Sequence, residues 1–257
     1  AEARRAQEVA QEAAELASRE AAAAAAAAKS EEETKKHMLV VGGNQLVSVL
    51  DIYTGATLLK MQRDGRVRCV ALSNDGSVLV VGGFDRKVVL HAVDEGAQLY
   101  DFDPHTGGVV RSVHLPPDSS RLAVGSEVDG AGRAYLYDTA DGTQALHQFE
   151  HAKAVWCVRL SPSGTMMAVA GYDMALTLYD VTRAGLRGAR CPVLQRVGYT
   201  STIGPAFIWS AEFSEDGRAL ILGCWSGVAL VYTIDAERAK QVAAAARSAD
   251  EADACSS

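Results

Sequence analysis

The chain has 257 residues, 48% of them apolar, enough to bury a sizeable core in one large or two small domains. Its net charge of -7 argues against a nucleic-acid binder that works by neutralising phosphates. Five cysteines, an odd number without a C-x-x-C pair, do not make a disulfide framework and point to a reducing, cytoplasmic setting, with the nucleus also open.

No apolar run approaches the ~20 residues that span a bilayer. There is no N-x-[ST] acceptor and no signal peptide. The chain begins with Ala rather than Met, which suggests a piece of a longer protein.

Residues 1–36 are rich in Ala, Glu, Arg and Gln and lack Gly and Pro, a composition that favours helix. Glu15–Arg19, Glu31–Lys35 and Glu32–Lys36 place acid four residues before base. A seam of Ala6, Val9, Ala13, Leu16 and Ala23 has heptad spacing but little bulk. Two expectations stand: a coiled-coil or linker helix that meets a partner, or a solvated spacer.

From His37 to Asp235 the texture changes to short β-branched and aromatic runs between Gly, Pro, Asp and Ser, the signal of strands. Ala154 to Asp180 reads as three strands. Val155–Leu160 ends at the turn Ser161-Pro162-Ser163-Gly164, Met166–Ala170 at Gly171-Tyr172-Asp173, and Leu176–Tyr179 follows. The pattern repeats. Equivalent third-strand positions are Leu50, His91, Tyr137, Tyr179 and Tyr232, separated by 41, 46, 42 and 53 residues. The first strand recurs from Val67, Val110, Val155 and Ile208. The middle strand recurs as Val40-Val-Gly-Gly43, Val80-Val-Gly-Gly83, Ala123-Val-Gly-Ser126, Val169-Ala-Gly171 and Leu222-Gly-Cys224. Fourth strands are expected at Ala56–Met61, Ala97–Phe102, Gln144–Phe149 and Pro192–Val197.

These copies resemble the WD40 repeat family. His151 with Val155 and Val158 supplies the opening, Asp85 and Asp173 the turn aspartate, and Tyr137-Asp138 and Tyr179-Asp180 stand where Trp-Asp usually does. Leu50-Asp51 is a weaker version, while His91-Ala92 and Tyr232-Thr233 lose the dipeptide. The resemblance implies an all-β, WD40-type propeller of about five blade-like units over residues 37–235, with weaker blade locking. The first unit lacks an innermost strand and the last an outermost one, so the propeller is partial or open. Either it is an excerpt of a longer propeller, or another segment completes it. Asp235 reads as the N-cap of an Ala-rich helix over 236–248, within a C-terminal segment 236–257. The connection from Thr182 to Phe207, with Arg183, Arg187 and Arg190, is an outer strand with a loop or a partner-binding insertion.

Catalytic signals are weak. Gly130-Ala-Gly132 begins a dinucleotide fingerprint, but Tyr135 replaces its third glycine, and no phosphate-binding G-x-x-x-x-G-K-[ST] exists. His147 and His151 have zinc half-site spacing without a Cys pair. No G-x-S-x-G elbow occurs. Cys69 and Cys157 share a strand position with Ser112 and Ser210, which suits small packed residues better than reactive thiols. No enzyme, cofactor or metal is expected.

Binding signals are stronger. The resemblance implies that the residue after the first Val or Ile of strand one, and the residue before the turn aspartate, converge on one rim. Those residues are Arg68, Arg111, Trp156 and Trp209, then Phe84, Tyr172 and Trp225, with Val128 the third unit's counterpart. Trp, Tyr and Arg are enriched in interface hot spots. Either they meet a partner, with Arg68 and Arg111 suited to an acidic segment, or they cap neighbouring blades. The expected function is a non-catalytic scaffold for protein–protein interaction. The alternative is a regulatory or targeting module of a larger multidomain signalling enzyme, tethered through residues 1–36. A propeller hydrolase would need a polar or metal-lined channel, which the small, apolar first strands do not suggest.

Overall fold

The computed structural model describes residues 37–102, 108–140, 145–182, 193–198 as backbone, and 207–234. The expected helices over 1–36 and 236–248, the tail to 257, and the arginine-bearing stretch 183–190 lie outside the described residues. The chain divides near Met38, and the sheets run from that boundary onward.

Five sheets follow one another along the chain. The first is β1 (Met38–Gly42), β2 (Leu46–Asp51) and β3 (Thr57–Gln62). The second is β4 (Val67–Leu72), β5 (Val78–Gly83), β6 (Val88–Ala92) and β7 (Gln98–Phe102). The third is β8 (Val109–His114), β9 (Arg121–Val128), β10 (Ala131–Asp138) and β11 (Ala145–His151). The fourth is β12 (Val155–Leu160), β13 (Met166–Gly171), β14 (Ala175–Asp180) and β15 (Val193–Gly198). The fifth is β16 (Ile208–Phe213), β17 (Ala219–Cys224) and β18 (Ala229–Thr233). Each is a meander of hydrogen-bonded neighbours, antiparallel in every register from β2–β3 onward. Among the described residues no strand joins the last sheet to the first.

The leading strands β4, β8, β12 and β16 pack side by side in chain order, and the core lies between the sheets in three layers. Val80, Leu90 and Phe102 of the second sheet meet Val110, Leu122 and Tyr135 of the third. Leu136 and Phe149 of the third meet Val158, Met167 and Tyr179 of the fourth. Leu176 and Leu178 of the fourth meet Ile208, Leu220 and Leu222 of the fifth. Sheets covered on both faces have continuously apolar strands rather than alternating ones, and β5 and β13 are buried along nearly their whole length.

Two local devices fix this stacking. The middle-strand glycines let the next sheet approach: a Cβ on Gly82 would stand 2.6 Å from Val110 Cγ1, and one on Gly125 2.8 Å from Val155 Cγ1. The second device is the turn that follows the leading strand. Ser73, Ser161 and Ser214 use their hydroxyls to accept the N–H of Val78, Met166 and Ala219 at 2.9, 3.0 and 2.8 Å. Gly76, Gly164 and Gly217 take the positive φ that the turn demands. The third sheet has Pro116-Pro117-Asp118-Ser119 instead, and Ser119 adopts φ 51° itself.

The leading strands are also stitched to one another by polar atoms. The Ser112 hydroxyl accepts the Val158 N–H at 3.2 Å, and His114 Nδ1 accepts the Leu160 N–H at 3.1 Å. Cys157 Sγ accepts the Ala211 N–H at 3.2 Å, and Cys69 donates to the Val110 carbonyl at 3.9 Å. Burial pushes the Cys157 thiol up and the Cys69 thiol up to about 12, so both stay protonated. They are packing and hydrogen-bonding groups, as their alignment with serine suggests.

Candidate functional site

A β-bulge occurs at the same place in each of the four leading strands. Val67 pairs with Gly83 and Cys69 with Gly82, so Arg68 has no counterpart. The ladder likewise skips Arg111, Trp156 and Trp209. A bulge supplies one extra residue and re-aims its side chain. The side chains expected to share a rim are therefore the four extra residues of the ladders.

A second row stands beside them. The N–H groups of Phe84, Tyr172 and Trp225 donate to the carbonyls of Arg66, Ala154 and Phe207 at 2.9, 3.0 and 2.9 Å. In the third sheet, Val110 pairs with Ser126 as Val67 pairs with Gly83, so the residue that follows is Glu127. Val128 was the sequence expectation and is displaced by one position. The cause is the β9–β10 hairpin, whose strands run to eight residues and turn at Asp129-Gly130, erasing the glycine–aromatic–aspartate signature.

The aromatic side chains form one connected cluster. Trp156 meets Trp209 edge to face at 4.1 Å between centroids and stacks on Tyr172 at 5.7 Å. Trp209 stacks on Trp225 at 5.1 Å, and Tyr172 on Phe207 at 3.9 Å. Such pairs contribute about 0.5–1.5 kcal/mol each beyond area burial. The Arg111 and Arg68 guanidinium carbons lie 4.8 and 5.8 Å from the Trp156 ring centroid, within cation–π range. Arg111 also holds Glu127, its Nε and Nη2 meeting the same carboxylate oxygen.

Six of the eight sequence-derived rim residues thus come together: Arg68, Arg111, Trp156, Tyr172, Trp209 and Trp225. Phe84 occupies the equivalent backbone position and is 47% exposed, but it makes none of these ring contacts. Phe207, Glu127 and Lys153 are additions. Phe207 was findable as the residue before strand one. Glu127 needed the register of β8 on β9.

The cluster remains partly open, with Tyr172 44% and Trp225 67% exposed. Trp156 and Trp209 are half-buried, and their indole N–H groups are enclosed without a hydrogen-bond partner. A cleft of about 350 Å³ opens beside Trp156 and Tyr172, lined also by Arg111, Glu127 and Lys153. A smaller one of about 200 Å³ adjoins it across the Arg111–Glu127 pair and reaches Arg86.

Beside the rim lie the opening histidine and turn aspartates that the repeat resemblance singled out, which lock neighbouring strands through their side chains. His151 Nδ1 is 3.8 Å from Asp173, and its Nε2 is 3.2 Å from the Tyr179 hydroxyl. The second sheet uses Arg63, four residues before Val67 as His151 is before Val155. It forms a buried ion pair with Asp85 at 2.7 Å. A search for histidine alone misses that substitution. Asp138 and Asp180 cap the turns after their strands, accepting the N–H of Ala140 at 2.8 Å and of Thr182 at 3.0 Å. His147 and His151 both lie on β11. His151 is engaged in the lock, and no cluster of three His, Cys, Asp or Glu that could hold a metal occurs among the described residues.

The family model described as "WD domain, G-beta repeat" matches residues 56–91, 96–137 and 143–180. Each match spans the outer strand of one sheet and the first three strands of the next, so the sequence repeat couples neighbouring sheets. Two Arabidopsis thaliana proteins are similar. Actin-interacting protein 1-2 is 24% identical over 141 residues, covering 52% of this chain and 22% of its own length. WD repeat-containing protein VIP3 is 27% identical over 162 residues, covering 62% of this chain and 49% of its own. The chain thus spans half or less of the curated relatives it matches. With the repeated bulge and turn geometry, these matches show WD40 repeats at three consecutive positions of the chain.

Proposed function

We propose that this chain is a non-catalytic scaffold that binds other proteins through the aromatic and cationic rim of its sheets, which act as the blades of a partial propeller. The observation that carries this is the bulge shared by the four leading strands. A common backbone device presents a different side chain from each sheet: Arg68, Arg111, Trp156 and Trp209. A repeated backbone with varied side chains is the logic of a display surface. Rigid Trp, Tyr and Arg anchors contribute large contact area at low entropy cost, and contiguous exposed aromatics on a folded protein mark interaction sites. The free thiols of Cys69, Cys157 and Cys224 suit a reducing compartment, and the cytoplasm is the proposed setting.

The test is quantitative affinity capture by the full-length chain against the double variant Trp156→Ala/Trp209→Ala, with circular dichroism confirming that the variant is folded. The expected result is a loss of at least about tenfold in captured partner, the scale of hot-spot truncation. Undiminished capture by a folded double variant would sink the proposal.

A further inference from the structure

We infer that the cleft beside Trp156 receives a carboxylate side chain of an acidic linear peptide, with Lys153 and Arg111 facing the carboxylate and Trp156 and Tyr172 packing its apolar neighbour. This rests on the docking function proposed above and specifies its ligand.

Charge complementarity carries the inference. The chain has a net charge of -7, yet the residues gathered here include the cations Arg68, Arg111 and Lys153 against the single carboxylate of Glu127. Arg111 is matched by Glu127. Arg68 and Lys153 are exposed and have no ion pair among the described residues. A local excess of positive charge on an acidic chain selects an anionic partner and repels its own kind.

At the cleft itself the arrangement also disfavours a cationic ligand. An aromatic surface that recognises ammonium groups needs a free ring face. The Trp156 ring already holds two guanidinium groups at 4.8 and 5.8 Å. Tyr172, the other ring lining the cleft, is stacked on both Trp156 and Phe207.

Glu127 sharpens the choice among anions. It occupies Nε and Nη2 of Arg111. A phosphate dianion would compete with it for those donors and meet its charge at close range. A carboxylate is a monoanion that Lys153 can receive while the Arg111–Glu127 pair stays intact. The cleft volume, about 350 Å³, is near the lower end of ordinary ligand pockets and suits one or two side chains.

Panning a phage-displayed library of random linear dodecapeptides on the immobilised full-length chain, then measuring synthetic hits by fluorescence anisotropy, tests this. The expected hits carry Asp or Glu beside an apolar or aromatic residue. Changing that acid to its amide, or Lys153→Glu in the protein, should weaken binding about tenfold or more, the scale of a lost charged hydrogen bond. Replacing the acid by phosphoserine should weaken binding to the native chain, and Glu127→Gln should restore it. Lys153 is exposed, so its variant leaves the fold intact. Hits whose binding is lost in Tyr172→Ala but is indifferent to their own acids, to Lys153→Glu, or that prefer phosphoserine, would overturn the carboxylate assignment and leave the docking face standing. A library yielding no peptide dependent on Tyr172 or Trp156 would overturn both.

Discussion

The two ends of the same sheets follow different rules. At the turn end, residue and geometry repeat together: Ser73, Ser161 and Ser214 make the same hydroxyl contact, closed by Gly76, Gly164 and Gly217. At the rim end only the geometry repeats. The bulge recurs, but its extra residue changes from Arg68 to Arg111 to Trp156 to Trp209. Three of the four turns share one solution because a tight turn needs a specific φ and a specific acceptor, and the third sheet meets the φ demand with Ser119 instead of glycine. The rim end is free to vary because a bulged side chain answers to what it contacts, not to the ladder. Stability should therefore concentrate in the turns, the locks and the core, and binding in the rim.

The largest effect that would sharpen this contrast comes from the lock beside the rim. Asp85→Ala leaves Arg63 charged and buried without its partner, and should cost about 3–5 kcal/mol of stability by urea titration. Asp101→Ala removes the half-exposed Lys87–Asp101 pair and should cost less than about 1 kcal/mol. Equal losses would mean that the lock is not what holds the second sheet.

A smaller effect distinguishes the two ends directly. Ser161→Ala removes a fully buried hydroxyl that accepts the Met166 N–H and should cost about 1–2 kcal/mol. Trp225→Ala at the rim should cost only about 0.5 kcal/mol, the low end for an aromatic pair, since the side chain stacks on Trp209 but is largely exposed. A destabilisation by Trp225→Ala matching that of Ser161→Ala would break the division of labour.

The subtlest test is pH. His114 sits at the turn end of β8 and accepts the Leu160 N–H, a role only the neutral ring can fill. Burial and the nearby Arg159 lower its pKa from 6.5 to about 4. Below pH 6.5 the unfolded chain binds the proton and the folded one does not. The contribution is therefore complete above pH 6.5 and is lost as pH falls toward 4. Burial lowers His91 and His147 in the same direction. Urea midpoints should fall between pH 6.5 and 4, and His114→Gln should make that fall shallower. An unchanged slope in the variant would remove His114 from the account.

Much of this was written in the residues. Periodic Val-Gly pairs, Ser-Pro-Ser-Gly turns and copies spaced about forty residues apart were sufficient to place the strands. β12, β13 and β14 lie within a residue of where the turn signals put them. The convergence of six rim residues was also legible, because each occupies the same offset in its copy. Side-chain partnership was not. That Glu127 rather than Val128 faces Arg111 depends on the register of β8 on β9, which a one-residue shift changes completely. That Arg63 replaces histidine in the second lock depends on which buried carboxylate it reaches, and Asp85 is 22 residues away along the chain. Local pattern fixes backbone conformation through sterics and turn chemistry. Which charges and rings meet is decided when separate sheets stack, because those contacts join residues distant in sequence.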